Sequence, residues 1–97
     1  MDGMPDVSGA IAAVTDALDR GLMTADPDLA AAQFTEDAVF GESNMEDVTG
    51  RTAIRDFLAS ANQIRTITHH KHHRDELIVL GDRAIERCHF DETKVTP

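Results

Sequence analysis

From Val7 to Leu22 the apolar positions Val7, Ile11, Val14, Leu18 and Leu22 recur at helical spacing, with Ala10 and Ala17 beside them. Asp16, Asp19 and Arg20 fall on the other side, so the pattern predicts an amphipathic helix over about 7–23. Residues 1–6 read as a loose leader ending at Asp6, a residue type that caps helices. Asp26-Pro27-Asp28 restarts the chain: Asp26 suits a cap, Pro27 the first helical position, and Asp28 the positive end of the helix dipole. A short second helix from Pro27 to about Phe34 follows, closed by Thr35-Glu36-Asp37. Ala38-Val39-Phe40 is a short apolar strand, and 41–48 a polar loop carrying Glu42, Glu46 and Asp47. Thr49-Gly50-Arg51-Thr52 opens a third helix with Ile54, Phe57, Leu58 and Ala61 as its buried stripe and Asn62 as its stop.

Beyond Ile64 the period changes from helical to alternating. Thr68-His69-His70-Lys71-His72-His73 holds four of the five histidines, Leu77-Ile78-Val79-Leu80 runs into Gly81-Asp82, and the chain returns through Ala84 to Phe90. Gly81-Asp82 suits a two-residue hairpin loop with positive φ at its first position, which pairs Leu80 with Arg83, Ile78 with Ile85 and Glu76 with Arg87. The order helix, helix, short strand, helix, long hairpin predicts an α+β domain, three N-terminal helices packed on one face of an antiparallel sheet.

Composition narrows the functions. At 97 residues the chain has the length of one domain, 1–97, with an ordinary globular balance of 41% hydrophobic and 28% charged residues. Four Phe, with no Trp or Tyr, leave aliphatic side chains to form the core. A net charge of −9 repels phosphate backbones and anionic lipid, so neither nucleic acid nor a membrane is an expected partner. The lone Cys88 excludes an intrachain disulfide, the N-terminus lacks a basic, apolar leader, and a cytoplasmic protein is expected.

Four strings carry a family resemblance: Asp26-Pro27-Asp28-Leu29-Ala30, Phe34-Thr35-Glu36-Asp37-Ala38-Val39-Phe40, Gly50-Arg51-x-x-Ile54-x-x-Phe57 and Leu80-Gly81-Asp82-Arg83-Ala84. In this order and spacing the chain resembles the nuclear-transport-factor-two-like superfamily, in its SnoaL-like and ketosteroid-isomerase-like branch, from about Ala10 to Phe90. The resemblance implies a cone-shaped, cystatin-like roll in which a strongly curved sheet wraps three helices around a mostly apolar pocket. Leu18, Leu22, Phe34, Phe40, Phe57, Ile67 and Ile85 are the expected lining, with Arg87 and His89 as a polar end suited to a carboxylate or carbonyl. The family's usual last two strands, after the position of Phe90, have no counterpart here. Either a partner chain finishes the sheet or the sequence is a shortened form. The pairing liability of an open edge favours a homodimer.

The resemblance places a proton-shuttling carboxylate at Glu42, where desolvation at an apolar rim raises basicity; the alternative is a solvated loop glutamate. The family's phenolic acid falls at Leu18, so steroid-isomerase chemistry as such is not expected. In dehydratase-like relatives a histidine early on the long strand pairs with an acid near the end of helix one. His69 holds the histidine position, and the acid position falls near Met23, between Asp19 and Asp26. Strand parity separates His69 from His70 and His72. One bulge within Arg74-Asp75-Glu76 puts Ile67, His69, Ile85, Arg87 and His89 on the pocket face and His70 and His72 outside. Arg87 and His89 have an alternative in cross-hairpin pairing with Glu76 or Asp75, and Cys88 reads as a packing residue. His70-x-His72 offers two imidazoles to a metal without a clear third ligand, so no metal or other cofactor is expected. Two readings stand. One is a cofactor-independent isomerase, cyclase or dehydratase using His69 or Glu42 as base on a hydrophobic or cyclic small molecule. The other is a non-catalytic ligand-binding or dimerisation domain of the same fold.

Overall fold

A computed structural model describes residues 7–97; the expected leader over 1–6 and the Asp6 cap lie outside the described residues. The apolar stripe of the first segment forms helix α1, Val7–Met23. It ends on Ala25 at φ 55, with the Asp26 amide donating back to the Gly21 carbonyl at 2.9 Å. Asp26 caps helix α2, Pro27–Ala31, by accepting from the Leu29 amide at 3.0 Å. This helix is shorter than its sequence predicts, because a turn at Ala32 and Gln33 and a bend at Phe34 lead the chain towards strand β1, Val39–Phe40. The polar stretch after β1 is not all loop: strand β2, Val48–Thr49, pairs antiparallel with β1. Helix α3, Arg51–Ala61, ends at Asn62 as expected.

Strands β3, Thr66–Leu80, and β4, Arg83–Val95, form an antiparallel hairpin turning on Gly81 at φ 63, a conformation that glycine adopts without a Cβ penalty. The expected pairs Leu80–Arg83, Ile78–Ile85 and Glu76–Arg87 are present, and β4 runs five residues past Phe90. The protein is therefore α+β, with three helices and antiparallel pairing throughout. Among the described residues no helix is long and apolar enough to cross a membrane.

Helix α1 rests on β3, and α2 bridges α1 and α3. The close approach of α1 to α2 needs Gly21, whose added Cβ would lie 2.7 Å from the Ala30 nitrogen. Ala30, Ile54 and Leu58 are the buried centre, bordered by Leu18, Leu22, Phe34, Phe40 and Phe57. Arg74 ties the hairpin to the start of α1, donating to Glu86 at 2.6 Å and to the Ser8 hydroxyl at 2.7 Å. The hairpin outruns the helices, giving extents of 53 × 26 × 23 Å. Ile78, Leu80 and Ile85 are accordingly exposed.

The hairpin contains two register shifts, at Ile67/His69 and at Arg74/Glu76. The second is the expected bulge. The first is an additional one, and it reverses the expected facing. Ile67, His70 and His72 point to the helices, together with their β4 neighbours Phe90 and Glu92. His69, Ile85, Arg87 and His89 take the opposite face.

Candidate functional site

A cavity of about 490 Å³ lies between α1, α3, the loop after β1 and the helix-side face of the hairpin. Of the residues expected to line it, Leu18, Leu22, Phe40, Phe57, Ile67 and Glu42 do so. Phe34 stands one layer back, edge-on to Phe40 with ring centroids 6.1 Å apart. His69, Ile85, Arg87 and His89 do not line it. Arg87 instead pairs with Glu76 at 3.1 Å, and His89 with Asp75 at 2.9 Å. This is the cross-hairpin alternative. The first bulge is the physical reason: one extra residue inverts which alternate side chains reach the helices.

The polar end of the cavity holds residues that the sequence placed elsewhere. Asp19 lies on the inward face of α1 and is only 4% exposed. Its Oδ2 accepts from the His72 amide at 3.1 Å, and its Oδ1 accepts from His72 Nδ1 in a short hydrogen bond. Two donors thus converge on one buried carboxylate, which is how a buried charge is kept in a core. The bond to Nδ1 fixes the proton there and leaves Nε2 as the acceptor nitrogen. His70, 5% exposed, meets Glu92 through Nδ1 at 2.8 Å and stacks on Phe90 at 4.9 Å. Its Nε2 is buried with no hydrogen-bond partner among the described residues, and lies 3.6 Å from Asp19 Oδ1.

Asp19 is the residue missed by the sequence reading, which put it on the solvent side of α1. A signal was present: Asp19 is one helical turn before Met23, and Leu18 and Leu22 flank it on the buried stripe. The histidine it meets is three residues beyond His69. Cys88, expected to pack, is exposed on the helix-side face. Partial desolvation, with the nearby carboxylates of Glu86, Asp75 and Asp19, raises its thiol above the ordinary value. Two cations, Arg65 and Lys94, stand at the wall near Glu42, with Lys94 Nζ 3.5 Å from Glu92.

A family model described as SnoaL-like domain matches residues 6–97. No protein of curated function matches the chain by sequence. Among solved structures, the chain is similar to a ketosteroid isomerase-like protein from Erwinia carotovora atroseptica. That pair has a TM-score of 0.81 and 16% identity over 96% of this chain and 72% of the other. It is also similar to a candidate aromatic ring hydroxylase from Novosphingobium aromaticivorans, with a TM-score of 0.75 and 28% identity over 90% of this chain and 64% of that one. A domain of unknown function with a cystatin-like fold from Nostoc punctiforme gives a TM-score of 0.78 and 17% identity over 97% of this chain and 58% of the other. The chain thus spans about three fifths to three quarters of the length of these relatives.

Proposed function

Because the chain belongs to the SnoaL-like domain family, matched over residues 6–97, we propose that its cavity carries out cofactor-independent proton transfer on a hydrophobic or cyclic small molecule. His72 is the base and Asp19 its positioning residue. The observation that carries this reading is the buried Asp19 carboxylate bound to both the ring and the amide of His72 beside a cavity of mixed apolar and charged lining. His72 Nε2 takes a proton from carbon next to a carbonyl or a leaving group, and the ionised Asp19 stabilises the imidazolium formed. Negative charge developing on the substrate oxygen falls near Arg65 or Lys94. Glu42 is a second acid-base group at the rim, able to return the proton elsewhere on the substrate. Isomerisation, dehydration and cyclisation all begin with this step. The Phe40 and Phe57 rings, with centroids 5.8 Å apart, suit a flat or cyclic ligand.

Deuterium exchange at carbonyl-adjacent positions of a ketone panel, followed by NMR, tests the reading. Exchange should be catalysed by the native chain and lost in His72→Gln with the fold intact. Equal exchange by both would reduce the cavity to the second reading, a ligand-binding pocket. The same proposal gives the protein a second copy as partner. Further strands then complete a curved wall beyond β4, whose far edge has no paired strand among the described residues, and Ile78 and Ile85 add an exposed apolar face. Light scattering reads this directly; a monomer at high concentration removes it.

A further inference from the structure

We propose that Asp19, His70 and His72 form a binding site for a divalent transition metal ion of the zinc class. One ligand atom from each lies within 4.8 Å of the others. The independent observation is His70 Nε2, a buried imidazole nitrogen without a hydrogen-bond partner among the described residues, 3.6 Å from Asp19 Oδ1. Two ligands of a tetrahedral zinc ion, each about 2.0 Å from it, lie about 3.3 Å apart, so this gap is already near ligand spacing. The other nitrogen of the same ring, Nδ1, meets Glu92 Oε2 at 2.8 Å. A carboxylate behind a histidine fixes the tautomer that offers its second nitrogen to a metal. Glu92 is here a positioning residue. Two imidazoles and one carboxylate suit zinc, cobalt or nickel and not calcium or magnesium. His70 and His72 both line the cavity.

The ion takes the place of the proton that His72 shares with Asp19, moving the two side chains slightly apart. The displaced proton moves to Nε2 of the same neutral ring, so His72 loses the nitrogen that serves as its base. Metal occupancy and a free His72 base exclude each other, so the metal acts as an inhibitor and not as a cofactor of proton transfer. Its measurement needs no substrate.

Calorimetric titration with zinc chloride, paired with visible absorption of the cobalt form, tests the site. A second histidine group on the outer face, His73 and His89 with ring centroids 5.0 Å apart, is the control for opportunistic binding. One equivalent should bind with tetrahedral cobalt bands. His70→Gln should weaken binding at least ~100-fold, Glu92→Gln ~10- to 100-fold, and His73→Gln less than about 3-fold. Native-like binding in Glu92→Gln, or binding lost in His73→Gln and kept in His70→Gln, overturns the assignment. Glu92→Gln decides the matter even where His70→Gln does not fold, because Glu92 lies at the edge of the cluster.

Discussion

Replacing Asp19 with asparagine and with alanine should separate the role of its charge from the role of its oxygens. In the native chain the carboxylate receives the His72 amide at 3.1 Å and His72 Nδ1–H. Asparagine keeps one oxygen for the amide and turns its own N–H₂ towards Nδ1. The hydrogen bond survives only if His72 changes tautomer, moving its proton to Nε2. Exchanging a charge-assisted bond for a neutral one costs about 1 kcal/mol. Removing one charge from a chain of net −9 returns roughly 0.5 kcal/mol by relieving repulsion. Asp19→Asn should therefore stay within about 1 kcal/mol of the native protein while losing proton-transfer activity. Alanine instead leaves two buried donors without acceptors, at about 1–3 kcal/mol each, so Asp19→Ala should lose about 2–6 kcal/mol. Urea denaturation followed by far-UV circular dichroism gives both numbers, and long-range proton–nitrogen NMR gives the His72 tautomer. An Asp19→Ala protein as stable as the native one, or an Asp19→Asn protein that keeps its proton on Nδ1, would show that Asp19 does not hold His72 in this way.

Three further outcomes follow from local geometry. Gly21→Ala should destabilise by about 1–3 kcal/mol in urea, against alanine's better helix propensity, because the new Cβ lies 2.7 Å from the backbone of Ala30. Ala25→Gly should stabilise by about 1 kcal/mol on the same assay, since Ala25 ends α1 at φ 55. The Cys88 thiol, raised first by desolvation and then by Glu86, Asp75 and Asp19, should react with iodoacetamide at pH 8 more slowly than in denaturant. The folded chain then holds this proton to higher pH than the unfolded one. Its contribution is complete below the unfolded thiol's pKa and is lost as pH rises towards the folded value.

Local signals made the elements legible. The stripe Val7–Leu22 produced α1 within a residue of its bounds, and Gly81-Asp82 set the hairpin register nearest the turn, where loop geometry dictates pairing. Strand β2 was not legible, since two residues in a polar stretch carry no period. The apolar part of the cavity was legible for the same reason as the core: Leu18, Leu22, Phe40, Phe57 and Ile67 are what the helices and strands must bury. Its polar end was not, because a carboxylate such as Asp19 reads as a surface residue until its donors are known.

The hairpin shows why those donors were hidden. Alternation means that each bulge between the turn and Ile67 exchanges the two faces, so the answer depends on whether their number is odd or even. With one bulge, near Asp75, Ile67 shares a face with His69, and burying Ile67 turns His70 and His72 away from α1. The buried Asp19 would then lose both of its donors, at a cost of several kcal/mol. With the second bulge, at Thr68, Ile67 is buried and His70 and His72 face the same way. Apolar burial and carboxylate satisfaction are then met together, and the expense is one irregular pair in a long ladder. Asp19, four turns into a helix formed more than forty residues earlier, thus helps to decide the register of the strand. A contact so distant in sequence leaves no trace in the strand's own pattern.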